Sequence, residues 1–453
     1  ANNEPSPLSV NERNNRIFAI IWIVLEIIFC VMYAIWTHTS SYNAYTTGAM
    51  VEYLAALGIA ASTIIGLGGL MTYVSGLKWS GFGFALLITA LSYQVYFMAN
   101  AFWTKADIQR TKIDIKAIKS INNTTAGIGP FRIEGFGHTI QTLGATATGA
   151  FKLAFTMTIA FSAIIGRAGP LEILIFVIFG GALYELNRQI IARVNYDVGG
   201  SITMFMFGGI QGTIVAILLG LTKQKENSNK DKTTLIKIQQ HIAVVGSAFF
   251  WVFYPLFFLD QPIVGPVNAA DTTPFLHTNA MLNAYWCISA SVVTSLALSA
   301  VIHGRIRIKD LLYGTFAGAA IIGTSAPHIY NIVAAILLGM IAGLLQPVFN
   351  LIEEKIVKST AIFTTCAPFV FAAQGLLGSL ASGVLRAIQP NSPGFNWSLN
   401  PYPFRWDVSG EYFRATFISF GTAIFSGLVC GLLCLLVTGQ ISRDYFDDIA
   451  YWI

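Results

Sequence analysis

The sequence predicts an all-α polytopic membrane protein, one membrane domain of twelve transmembrane helices, on three observations. Of its 453 residues 55% are hydrophobic, and the mean hydropathy is +0.63. Only 11% are charged, against about 25% in soluble domains, too few to cover a water-facing surface. Apolar runs close to the ~20 residues that cross a bilayer recur along the whole chain. A soluble enzyme is thereby excluded. The 41 glycines and 33 phenylalanines suit helices in close contact, where small residues let backbones approach and rings fill the gaps.

The expected spans lie, in order, near 17–37, 48–75, 79–103, 143–165, 169–192, 198–222, 238–260, 277–302, 308–326, 328–350, 360–388 and 411–440. Residues 1–16 and 441–453 are then the N- and C-terminal tails, and 17–440 the helical part. The start shows no charged segment followed by a cleavage site, so the first apolar run is expected both to target the chain and to stay as a helix. An even number of spans puts both tails on one side.

Lys and Arg in short loops set that side. Lys223, Lys225, Lys230, Lys232 and Lys237 follow the sixth span, Arg305, Arg307 and Lys309 the eighth, and Lys355 and Lys358 the tenth. All share a face with Arg13, Arg16 and Arg443, so both termini are expected in the cytoplasm. The segment 104–142 dissents, with Lys105, Arg110, Lys112, Lys116 and Lys119 on the opposite face. Acceptor sequons for glycosylation lie on that same face at Asn122, Asn123 and Asn396.

The lysine-rich loop 223–237 divides the spans six and six. With the first span counted as an addition, spans two to six and seven to eleven form two groups of five. An odd count per group inverts one against the other, the geometry in which transporters place a substrate path at the midplane.

Few residues offer chemistry. Ionisable groups at bilayer depth mark function by default; here they are Glu26, Glu52, Lys152, Glu172, Glu185 and Asp197. Most sit within two turns of a span's end, where they can snorkel or pair. Asp197 differs, since it opens the sixth span in Asp197-Val198-Gly199-Gly200-Ser201, where a carboxylate caps free backbone N–H groups or shapes a vestibule. The histidines fall in loops or at span ends, and the five cysteines form no CxxC pair, so neither a metal site nor a proton relay is expected. No catalytic motif is present and no cofactor is implied. The net charge of +5 comes without a basic stripe, which argues against nucleic acid. Aromatics crowd the sixth span at Met204-Phe205-Met206-Phe207, the eleventh at Phe369-Val370-Phe371, and the seventh at Trp251, Phe253, Phe257 and Phe258. They read as core packing or as a hydrophobic constriction.

Several strings resemble the Rhesus (Rh) branch of the ammonium transporter superfamily. Gly66-Leu67-Gly68-Gly69-Leu70 followed by Trp79-Ser80-Gly81-Phe82-Gly83-Phe84 is similar to its second-to-third span junction, and Gly166-Arg167 with Pro170 to a short turn. Asn279-Ala280, Asn283, Tyr285 and Ser291-Val292-Val293-Thr294 match its eighth span, and Ala317-Gly318 with Gly323-Thr324 its ninth. Tyr445-Phe446-Asp447-Asp448 with Trp452 is similar to its C-terminal end. Order and spacing carry the resemblance over nearly the whole chain.

The resemblance implies a trimer of identical or mixed chains in the plasma membrane lipid bilayer, each subunit with its own pore between two inverted five-helix repeats. It implies ammonia, ammonium or CO2 as substrate. Asp197 matches the family's acidic residue before its first pore histidine, Phe257 an inner aromatic gate residue, and Phe102 or Trp103 the outer one. At the positions of the family's two pore histidines stand Phe205 and Phe371. Two functions follow from that altered, apolar pore: a channel for a small neutral molecule, or a non-conducting structural subunit, like the blood-group Rh polypeptides, that holds other membrane proteins in a larger complex.

Overall fold

A computed structural model describes residues 7–38, 47–75, 79–121, 140–141, 144–166, 168–194, 197–220, 233–259, 273–329, 331–360, 368–388 and 406–438. The sequons at Asn122, Asn123 and Asn396 lie outside these residues, as do most of the lysine-rich loop and the 439–453 tail.

Each expected span is a helix. In chain order they are α1 (Pro7–Trp36), α2 (Thr47–Ala61, continued through a π-helical turn at Ser62–Leu67 into Gly68–Ser75), α3 (Ser80–Ile121) and α4 (Gly144–Ser162). α5 follows (Pro170–Ile175, a π turn at Phe176–Gly180, then Gly181–Val194), then α6 (a π turn at Ser201–Met206, then Phe207–Gly220) and α7 (Thr233–Phe253 with a 3₁₀ end at Tyr254–Leu259). The set closes with α8 (Thr273–His303), α9 (Ile308–Ile322), α10 (Ile332–Thr360), α11 (a π turn at Pro368–Ala373, then Gln374–Ile388) and α12 (Trp406–Thr438). Among the described residues, ten are long and apolar enough to cross a membrane. The other two, α4 and α9, are interior helices, buried along nearly their whole described length. Among the described residues one short strand pair occurs, Thr37–His38 parallel to Ile140–Gln141.

Three elements run well past their expected ends, α1, α3 and α10, the last continuing beyond 350 to Thr360. α1 begins at Pro7, so its polar first turns precede the apolar run that starts at Arg16. α3 continues from Trp103 to Ile121, because nothing in the charged stretch after Trp103 breaks a helix once the apolar part has nucleated it.

Local chemistry fixes the remaining ends. α5 starts with Pro170 in its first turn, and Glu172 Oε2 accepts the backbone N–H of Gly169 at 2.8 Å. α7 tightens into its 3₁₀ turn at Pro255, which has no N–H to continue the α ladder. The short turn after α9 is held by α8: Asn283 donates to Ala326 O and Ile329 O, and Asn279 to Ile329 O. At the other end of α9, Arg307 and Lys309 pair with Asp310, Glu353 and Glu354 and tie α9 to α10.

Glycine contacts expose the internal repeat. In the first helices of the two sets, a Cβ built on Gly69 would lie 3.2 Å from Gly246 Cα, and one on Gly246 3.2 Å from Gly69 Cα. In the last helices, a Cβ on Gly209 would lie 2.5 Å from Ala372 N, and one on Gly375 2.6 Å from Met206 N. In the third helices, Gly212 of α6 presses on the Ala160 carbonyl of α4, as Gly378 of α11 presses on the Ile321 carbonyl of α9. Three reciprocal pairs relate α2–α6 to α7–α11. Five helices in each set make the second set inverted.

Candidate functional site

The two sets meet at the starts of α6 and α11, and both starts are π-helical. Such turns widen a helix and recur at functional sites. The α6 start is fixed by its own sequence. Gly200 takes φ +80°, a left-handed conformation in which any Cβ would run into Met204. Asp197 Oδ2 accepts the N–H of Ile202 at 3.0 Å, the N–H of Thr203 at 2.6 Å and the Thr203 hydroxyl at 2.8 Å; Oδ1 accepts the Thr324 hydroxyl at 2.6 Å. Gly199 N donates to Gly323 O at 3.1 Å, and Ser201 Oγ donates to Ala320 O and accepts Thr324 N. The start of α6 is thus sewn to the end of α9, and the carboxylate satisfies N–H groups the helix leaves free.

Against that frame sits a closed cluster of rings. Phe205 and Phe371 stack with centroids 5.8 Å apart and planes 25° apart. Phe155 of α4 meets Phe205 edge-on at 5.3 Å, and Phe316 of α9 meets Phe371 edge-on at 5.8 Å. Phe155 also meets Phe257 at 5.2 Å, and Phe250 stacks on Phe316 at 4.2 Å. Tyr254 fills the centre, in contact with Phe205, Phe250 and Phe257. All these rings are fully buried. The hydroxyl of Tyr254 lies 3.0 Å from Gly199 O and 2.8 Å from Ala319 O and donates to these carbonyls, so it turns away from the rings. The cluster offers a passing molecule apolar faces and edges and no strong hydrogen-bond partner.

Three of the residues singled out from sequence therefore share one site: Phe205 and Phe371 touch, and Phe257 joins them through Phe155. Asp197 lies at its edge. Trp103 is elsewhere, its indole N–H donating to Ala182 O at 2.8 Å and its ring edge-on to Phe102. Phe155, Phe250, Tyr254 and Phe316 were not legible as site residues, although Phe155 and Phe316 each stand five positions before the residue, Ala160 or Ile321, that receives a glycine of α6 or α11. Among the described residues no group of three His, Cys, Asp or Glu is placed to hold a metal ion.

A profile of the Ammonium Transporter Family matches residues 17–442. An ammonium transporter Rh type C of Oryctolagus cuniculus is 24% identical over 402 residues, covering 86% of this chain and 77% of that protein. An ammonium transporter Rh type A of Bos taurus is 23% identical over 458 residues, covering 96% and 94%. In structure the chain is similar to Rh50 of Nitrosomonas europaea, a Rhesus-family channel, with TM-score 0.67 at 20% identity over 90% of this chain and 92% of that one. It is also similar to Mep2 of Saccharomyces cerevisiae, with TM-score 0.62 at 14% identity over 90% and 92%.

Proposed function

This chain belongs to the Ammonium Transporter Family, and on that premise we propose that it is an Rh-type membrane channel for ammonia whose path crosses between α6 and α11. The supporting observation is the stacked pair Phe205–Phe371 at the crossing of the two repeats. In this reading the two rings stand where the family's conducting members carry histidines. Phe257 and Phe155 form the gate on the Asp197 side, and Asp197 holds the helix start that shapes the vestibule. The protein sits in the plasma membrane as a trimer with both termini in the cytoplasm.

The chemistry decides which form passes. An ion stripped of water between phenyl rings regains about 2 kcal/mol or somewhat more from each ring face, far less than its dehydration costs. Neutral ammonia costs a few kcal/mol to bury without a hydrogen bond, a barrier that a rotating ring pair lets it cross. The substrate is therefore the neutral molecule, with CO2 as the other small neutral candidate, and the rate is slower than through a polar path.

The test is ammonia uptake by purified protein in liposomes, read as internal alkalinisation, with the native chain beside Phe205→His/Phe371→His. We expect native vesicles to alkalinise faster than empty ones and the double variant to be faster still. Native vesicles no faster than empty ones would defeat the reading and favour the non-conducting structural subunit.

A further inference from the structure

Two strings of hydrogen bonds run through the α8–α11 side of the bundle, and each ends on an amide oxygen that has no donor. The first starts at Asp310, in the first turn of α9 and so at the other end of that helix from Thr324 and Asp197. Asp310 pairs with Arg307 at 3.2 Å, and its carboxylate also accepts the Ser299 hydroxyl at 2.6 Å and the Asn350 amide N–H. An ionised carboxylate only accepts, so it fixes which end of the Asn350 amide faces it and leaves Asn350 Oδ1 as an acceptor. Gln346 Nε2 donates to that oxygen at 3.0 Å, and Gln346 Oε1 is left over. The second string is shorter. Gln374 Nε2 donates to Ala342 O at 3.2 Å; a carbonyl needs a donor, so Gln374 Oε1 is the atom left over. Both glutamines are fully buried, and among the described residues neither oxygen has a hydrogen-bond partner.

The two strings end beside the stacked rings. Gln374 follows directly on the π turn of α11 that carries Phe371, the ring stacked on Phe205. Ala342 and Gln346 stand a turn apart on the buried face of α10. Pro347 opens the helix ladder at the same level, because it has no N–H to give to Gly343 O. In the register of the two repeats Gln374 falls on Gly208 of α6, which has no side chain and whose Cβ position lies 2.8 Å from Thr156 O. The amide therefore stands on one side of the ring pair and has no counterpart on the other.

Buried acceptors are costly when left unpaired. Acceptors gathered at one level without donors suit a small molecule that brings hydrogens. We propose that Gln346 and Gln374 form an acceptor site behind the ring pair that binds a small N–H or O–H donor, water or ammonia in transit. The site stands on the amides alone; its use by ammonia rests on the channel reading above. There the molecule regains a hydrogen bond that the phenyl rings do not offer.

The first experiment is an experimental structure of the native protein at a resolution that shows ordered water. We expect a density peak at hydrogen-bond distance from Gln346 Oε1 and from Gln374 Oε1, shared or separate. An oxygen without such a peak, or met by a protein donor, would overturn the proposal. The second experiment distinguishes the occupants through ammonia uptake in liposomes. Gln374→Met and Gln346→Met should each slow alkalinisation by about tenfold if ammonia uses the site. Gln374→Glu, whose neutral carboxyl keeps both a donor for Ala342 O and a free oxygen, should hold the native rate, which a merely disturbed fold would not. Peaks at both oxygens with unchanged uptake in the methionine variants would uphold the site and assign it to water. If native vesicles do not alkalinise, the channel reading fails by itself, and the density alone upholds or overturns the acceptor site.

Discussion

The α4–α6 side of the bundle and the α9–α11 side are built on one register and finished differently. Phe155 over Phe205 repeats as Phe316 over Phe371, and Gly209 and Gly212 repeat as Gly375 and Gly378. Where the two sides agree, the residues set how closely backbones approach and how rings fill the crossing. They part at Lys152 and Tyr313: the lysine donates to Val198 O, while the tyrosine presents a ring with Lys309 Nζ 6.0 Å from its centre. Agreement between the halves identifies what the fold requires, and disagreement identifies what chemistry has been added to it.

Four measurements can break or sharpen that comparison. The largest effect belongs to the rings. Phe205→Ala and Phe371→Ala each remove a fully buried side chain and should cost about 3–5 kcal/mol in reversible unfolding, by similar amounts, while speeding ammonia uptake. A large loss at one and none at the other would break the symmetry of the stack. Next come the crossing glycines. Gly209→Ala and Gly375→Ala drive a methyl group against backbone nitrogen and should each cost about 1–3 kcal/mol. Thermal unfolding in detergent would show a matched drop, and indifference at either position would remove the close approach on which the register rests.

Asp197→Ala should cost about 1–3 kcal/mol, since the N–H groups of Ile202 and Thr203 lose their acceptor in a buried helix start, and Asp197→Asn should recover part of it. Equal losses in both would assign the effect to charge and not to capping. The smallest effect near neutral pH concerns His328, in the turn between α9 and α10. Burial, with the Arg386 cation nearby, holds its imidazole well below the usual range, and its Nε2 lies 2.6 Å from the hydroxyl of Tyr412. The unfolded ring binds a proton near pH 6.5, so the stability is complete above that pH and is lost as the pH falls below it, by at most about 1.4 kcal/mol per unit. His328→Gln should flatten that slope; an unchanged slope would place its origin elsewhere.

Much of the architecture was legible. Apolar runs of bilayer length located every helix, because in lipid each backbone polar group must be satisfied within its own segment. The exterior helix α1 reads easily for the same reason: Ile20 and Ile27 stay 63% and 60% exposed, and hydropathy alone specifies such a surface. Phe205, Phe257, Phe371 and Asp197 were found by matching strings. The repeat was harder, since its signal is a spacing, Phe205 with Gly209 and Gly212 against Phe371 with Gly375 and Gly378, set among unlike neighbours. Lys152 was misjudged in kind. Grouped with the other charged residues as one that can snorkel or pair, it stands in the middle of α4, and only the contact with Val198 O reveals that it reaches the start of α6. Phe155 and Phe316 carry no local mark that separates them from other core rings.

The most direct test of the central claim, that ammonia crosses between Phe205 and Phe371, is a ring-size series at one position. Liposomes holding Phe371→Ala, native protein and Phe371→Trp would be mixed rapidly with ammonium chloride and their internal pH followed. We predict uptake in the order alanine, phenylalanine, tryptophan, with tryptophan near the level of empty vesicles. Equal rates across the series would mean that the solute takes another route, or none.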